Sequence, residues 1–118
     1  MSKLPHLHGQ TDKLLEKIEK AGDFNSLAES FKLLSDGTRL KLFWVLCHTK
    51  ECVLNLSKIM NASSPCLSHH LKILKNLGLI VSERSGKEML YTASDSRRAK
   101  ELHNAIERLQ KISCPTEK

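Results

Sequence analysis

Residues 66–80 read CLSHHLKILKNLGLI. Leu67, Leu71, Leu74 and Leu77 recur three and four apart down one face until Gly78, which predicts a helix that stops there. Ser64 can cap this helix with Pro65 in the first position, where a missing N–H costs nothing. Before the interruption Asn61-Ala62-Ser63, the segment CVLNLSKIM (52–60) sets Val53, Leu56 and Ile59-Met60 at helical spacing, a short helix of about two and a half turns. Beyond Gly78 the period changes from about 3.6 to about 2. Leu79-Ile80-Val81, polar Glu83-Arg84-Ser85-Gly86-Lys87 and Met89-Leu90-Tyr91-Thr92 predict two short strands joined at Ser85-Gly86. A helix, a turn of three or four residues, a second helix and a basic hairpin make a winged helix-turn-helix: mainly α with a small β-hairpin.

Working outward, residues 1–10 carry Pro5, Gly9 and two histidines without periodicity and read as a flexible arm. Thr11 is a candidate N-cap for a first helix through Leu14, Leu15 and Ile18, ending at Gly22. Asn25 can cap a second helix with Leu27, Phe31 and Leu34 on one face, ending near Ser35-Asp36-Gly37. A third begins at Thr38 and is apolar on nearly every side (Leu40, Leu42, Phe43, Trp44, Val45, Leu46), so it belongs at the centre of the core. His48-Thr49-Lys50 is a polar break. Asp95 or Ser94 caps a last helix in which Ala99, Leu102, Ile106 and Leu109 form a stripe of 3.5 period suited to pairing with another helix. The competing reading folds that helix back on its own domain. A seam between two copies is preferred, because so small a chain has little other surface on which to bury both this stripe and the third helix. The expected organisation is an arm over 1–10, a winged helix-turn-helix domain over 11–114 with N- and C-terminal dimerisation helices, and a tail over 115–118.

The 118 residues fit one domain, and a core with 4% aromatics must be built from Leu, Ile, Val and Ala, which favours helices. A net charge of +6 suits a polyanionic partner, nucleic acid or an acidic membrane surface. No stretch approaches the roughly 18 apolar residues of a membrane span, and the N-terminus lacks a signal-peptide core, so a cytoplasmic protein without a membrane partner is expected. Cys47, Cys52, Cys66 and Cys114 show no CxxC spacing and are expected to be free thiols. No phosphate loop, no nucleophile with a spaced base and no paired carboxylates stand out, so no enzyme is expected. A winged helix docking proteins in place of DNA is the stronger rival.

The second helix of a helix-turn-helix lies in the major groove with its N-terminal side chains at the base edges. Ser63, Ser64, Ser68 and His69 occupy its first two turns. Hydroxyls and imidazoles there can donate to or accept from bases and phosphates without a carboxylate's repulsion. Lys72 and Lys75, further along, and Arg84 and Lys87 at the hairpin tip are candidate phosphate contacts, the hairpin reaching an adjacent minor groove. Neighbouring helix residues differ by about 100°, so His69 and His70 cannot share a role. His69 is assigned to the groove and His70 to half-buried support. Joint metal ligation by this pair is geometrically awkward.

The stretches LSDGTRLKLFWVL (34–46) and CVLNLSKIMNASSPCLSHHLKILKNLGLIVSERSGKEMLYTAS (52–94) resemble the ArsR/SmtB family of winged-helix metalloregulatory repressors. The resemblance covers about residues 25–113. It rests on Asp36-x-Thr38-Arg39-Leu40, Ser63-x4-Ser68-His69-His70-Leu71, Gly78-Leu79-Ile80 and Arg84-x-Gly86-Lys87-x3-Tyr91. It implies a homodimer that binds a palindromic double-stranded DNA operator, needs no cofactor to do so, and releases it when an inducer, typically a metal ion, binds. Many soft-metal sensors of this family carry two cysteines before the turn. This chain keeps Cys52 but has Leu54 and Asn55 where the second cysteine and an aspartate stand. The D-x-H and H-x-x-[EH] pattern of its zinc sensors is also broken, with Arg97 after Asp95 and Arg108 near the second position. Other donors remain. His103 and Glu107, one turn apart on the last helix, can meet one zinc or similar divalent transition-metal ion, completed by Cys114 or by His6 and His8 of a partner arm. Cys52 with the arm histidines is a further combination. A thiol switch pairing Cys114 with Cys47 or Cys52 would make a redox or reactive-sulfur responsive repressor, and a regulator with no small inducer is the remaining alternative.

Overall fold

The computed structural model describes residues 4–6 and 8–111. The chain divides into two units after Lys32. The first holds helix α1 (Thr11–Lys20) and most of α2 (Phe24–Leu34). Thr11 is not a cap: Gln10 takes that position without a side-chain bond, and the Thr11 hydroxyl donates to the His8 carbonyl at 3.2 Å. Nor does Asn25 cap α2. Asp23 does, its Oδ1 accepting from the backbone N–H of Asn25 at 2.9 Å and of Ser26 at 3.3 Å, so one carboxylate satisfies two free helix donors.

From Leu33 onward the order is α3 (Gly37–Leu46), β1 (Glu51–Cys52), α4 (Val53–Met60), α5 (Ser64–Asn76), β2 (Ile80–Ser85), β3 (Glu88–Ala93) and α6 (Arg97–Gln110). α3 starts at Gly37, one residue before the expected Thr38, because the Asp36 side chain caps it by accepting from Arg39 N–H at 2.9 Å. Leu42, Phe43 and Leu46 of α3, Leu56 of α4, and Leu67 and Leu74 of α5 are wholly buried together. Asn61 turns the chain between α4 and α5 in the left-handed conformation, φ +53°, and the Ser57 hydroxyl donates to the Ala62 carbonyl across the turn. α5 is capped by Ser63, not Ser64: Ser63 Oγ accepts from Cys66 N–H at 3.2 Å, which puts Pro65 one place further in.

The wing is a three-stranded antiparallel sheet in the order β1-β3-β2 rather than a lone hairpin. β1 adds Glu51 opposite Tyr91 and Cys52 opposite Leu90. The hairpin turns at Gly86-Lys87, with Ser85 already paired to Glu88. Gly86 sits at φ +64°, which a two-residue connection of this hand requires. Thr92 anchors the sheet to the end of α3, its hydroxyl directed at the carbonyls of Leu46 at 3.2 Å and Thr49 at 3.0 Å. α6 is capped by Ser96, whose Oγ accepts from Ala99 N–H at 3.2 Å. Ser94 instead donates to the Gly78 carbonyl at 2.9 Å, and Asp95 makes no cap. The α6 stripe splits in two. Ala99 and Ile106 are buried in the chain's own core with Leu102 packed beside them, whereas Leu109 is 84% exposed. No helix of the described residues is long and apolar enough to cross a membrane.

Candidate functional site

α5 buries Leu67, His70, Leu71 and Leu74 and turns its other face outward. On that face Ser68, His69 and Lys72 are exposed, and the helix SPCLSHHLKILKN has no carboxylate. Two of the expected contacts already have partners within the fold: Ser63 serves as the cap, and Lys75 Nζ donates to Ser82 Oγ of β2 at 2.7 Å. Ser64 is half-buried. Lys75 thereby ties the helix to the wing. Arg84, on β2, and Lys87, in the hairpin turn, are exposed. Glu83, next to Arg84, is ion-paired to Lys50.

Behind α5 a polar brace fixes its orientation, and sequence reasoning did not connect its parts. Arg39 is 8% exposed and His70 6%. Arg39 Nε donates to His70 Nδ1 at 3.2 Å, and its Nη1 donates to the Leu33 carbonyl. With Nδ1 accepting, the proton of the neutral ring lies on Nε2, 3.9 Å from Asp36 Oδ1. Burial holds the His70 pKa below its ordinary value, and the Arg39 and His69 charges add to this, only partly opposed by Asp36. Asp36 is itself held low, first by the Arg39 backbone N–H. Asp36 and Arg39 of the D-x-T-R run thus support α5.

A second cluster joins the end of α3 to α6. His103 Nε2 lies 3.0 Å from Glu107 Oε2, as their spacing predicts. Trp44 Nε1 donates to the same oxygen at 3.0 Å, and His48 Nε2 approaches it at 3.4 Å. The His48 ring stands edge-on to Trp44 and to His103, with centroids 4.8 and 4.9 Å apart. Among the described residues, His48, His103 and Glu107 offer donor atoms all within 4.8 Å of one another. His48 was missed because it sits in a polar break, 55 positions before His103. His6 and His8 lie in the first unit with ring centroids 6.3 Å apart, and Cys114 is outside the described residues. Cys52 is buried, Cys47 half-buried and Cys66 exposed.

The family model described as "Bacterial regulatory protein, arsR family" matches residues 36–82, from the Asp36 cap into β2. A cadmium resistance transcriptional regulatory protein, CadC, of Listeria innocua is 40% identical over 83 residues, covering 68% of this chain and 70% of that protein. The transcriptional repressor BigR of Xylella fastidiosa superposes with a TM-score of 0.67 at 26% identity, over 84% of this chain and 98% of BigR. A homodimeric winged helix-turn-helix DNA-binding domain of Mycobacterium bovis shares the fold, with a TM-score of 0.62 at 18% identity, over 92% and 91% of the two chains.

Proposed function

The chain belongs to the arsR family of bacterial regulatory proteins, and from that footing we propose that it is a repressor acting as a homodimer on a palindromic operator, released by a divalent transition-metal ion. The observation that carries this reading is the outward face of α5: exposed Ser68, His69 and Lys72 on a helix without carboxylates, flanked by a wing that exposes Arg84 and Lys87. In the complex, Ser68 and His69 read base edges from the first turns of α5, Ser63 and Ser64 meet the backbone at its N-terminus, and Lys72, Lys75, Arg84 and Lys87 serve phosphates. The functional domain spans 11–114. Two-fold symmetry follows from the target, since half-sites about one helical turn apart need two recognition helices. Leu14 and Ile18 of α1 and Leu109 of α6 are apolar and at least half exposed in the single chain, as dimerisation helices require.

The metal reading is supported by the cadmium-resistance relative and by the His103–Glu107 pair. The alternative of a thiol-responsive repressor has less support, because Cys52 lies in the core at 7% exposure. Fluorescence anisotropy on the duplex upstream of the chain's own coding sequence tests the proposal. The metal-free protein should prefer that duplex over a scrambled one by about 10³-fold or more, with affinity falling steeply as salt rises. Added zinc should weaken binding by about 5–150-fold. Equal affinity for both duplexes contradicts the repressor reading; release by oxidant but not by zinc favours the thiol switch.

A further inference from the structure

The carboxylate of Glu107 gathers three nitrogens, from α3, from the turn just after it and from α6: Trp44 Nε1 and His103 Nε2 at 3.0 Å each, and His48 Nε2 at 3.4 Å. The third is the informative one. His48 Nε2 is a buried ring nitrogen that makes no hydrogen bond within the chain, a condition rare enough in native proteins to call for a further partner such as an ion. The separations fit coordination. In a tetrahedral zinc site with bonds of about 2.0–2.1 Å, neighbouring ligand atoms lie about 3.3 Å apart, and two edges of this triangle already lie at 3.0 and 3.4 Å. The remaining edge is at most 4.8 Å.

We propose that His48, His103 and Glu107 of a single chain form the binding site for a borderline divalent ion, zinc foremost, with Trp44 as the outer donor that orients the carboxylate. This deepens the metal-released repressor reading and rests on it for its consequence, but it moves the site. The third ligand is a histidine at the end of α3, and no thiolate and no second chain is needed. Two imidazoles and a carboxylate select zinc, nickel or cobalt over the soft, thiol-seeking ions, so this chain differs in metal choice from a thiolate sensor. The fourth position is left to solvent. Occupancy draws the end of α3 against α6. That same end of α3 is held by Thr92 of the wing through the Leu46 carbonyl, so the ion acts on a segment continuous with the DNA-contacting sheet.

The test uses the full chain, stripped of metal and kept reduced, titrated with Co2+ and then Zn2+. One ion per chain should bind, giving the ligand-field spectrum of a four-coordinate cobalt with no sulfur-to-cobalt charge-transfer band. Emission of Trp44, the single tryptophan, should quench in step. His48→Gln and His103→Gln, checked by thermal melting, should each weaken zinc by about 10–100-fold or more, whereas replacing all four cysteines by serine should leave zinc affinity unchanged. Absence of uptake, or a sulfur charge-transfer band, overturns the proposal even where a variant fails to fold. So does zinc affinity unmoved by a folded His48→Gln. Operator binding by the metal-free protein is measured in parallel: if it persists without zinc uptake, this site is wrong and the repressor reading stands. If zinc binds as described and no operator is recognised, the site stands and the repressor reading falls.

Discussion

His70 shows how one residue in a motif can be buried support while its neighbour is left exposed. His69 is exposed on the groove face of α5, and His70, one position on, is clamped between Arg39 and Asp36. The adjacency of two histidines in the sequence is legible as two roles, because a 100° step on a helix separates them. The brace partners are not legible, because Arg39 lies 31 positions away and reads there as a charged residue near a helix start. The brace gives stability a definite pH dependence. Burial chiefly depresses the His70 pKa below its ordinary 6.5, so the unfolded chain takes up more protons than the folded one as pH falls through that value. Stability is therefore complete above 6.5 and declines below it until the folded-state pKa is passed. Asp36, depressed below 3.8, adds a loss in the same direction at lower pH. Thermal melts at about pH 7.5 and about pH 5.5 should show a larger drop in Tm for the wild type than for His70→Gln. Equal drops would remove His70 from this account. Arg39→Ala should cost about 1–3 kcal/mol, since it leaves His70 Nδ1 and the Leu33 carbonyl without their donor.

At the scale of elements, the proposed function has α5 read the bases and the wing hold the phosphates. Arg84→Ala, at the wing, should weaken binding to operator and unrelated duplex by a similar factor and reduce the salt slope by about 1. Ser68→Ala with His69→Ala should leave the salt slope intact and compress the preference for operator over scrambled DNA by about 1–3 kcal/mol per lost base contact. The opposite pattern in either variant would exchange their roles. The helices and the hairpin were legible because leucine spacing at 67, 71 and 74 and the change of period after Gly78 are local signals. The caps were misplaced by a residue or two for an equally local reason: in Ser63-Ser64, Asp23-x-Asn25 and Ser94-Asp95-Ser96 several neighbours have capping side chains, and only the backbone angles choose among them. β1 escaped notice because two residues carry no period, and Glu51–Cys52 becomes a strand only by pairing with Tyr91 and Leu90.

For the whole molecule, the composition already pointed to a basic, helix-rich chain with a polyanionic partner, but the partition of α6 was beyond the sequence. A 3.5-residue stripe fits a coiled seam and a core-packed helix equally well, and the fold divides it, sinking Ala99 and Ile106 and leaving Leu109 outside. Assembly should accordingly depend on the outer part. Leu109→Glu should shift the sedimentation profile from dimer to monomer and weaken operator binding, with Tm of the isolated chain little changed, since the side chain is 84% exposed. A dimer that survives this change would place the seam elsewhere. The central claim, that two copies set Ser68 and His69 into successive grooves on one side of a duplex, is tested most directly by changing the spacing between half-sites. Inserting about 5 base pairs, half a helical turn, at the centre of the footprinted operator turns one half-site to the far side. Binding should then fall to the level of a single half-site and be restored by inserting a full turn. Affinity indifferent to the insertion would mean that the two recognition helices do not act together, and the account would fail.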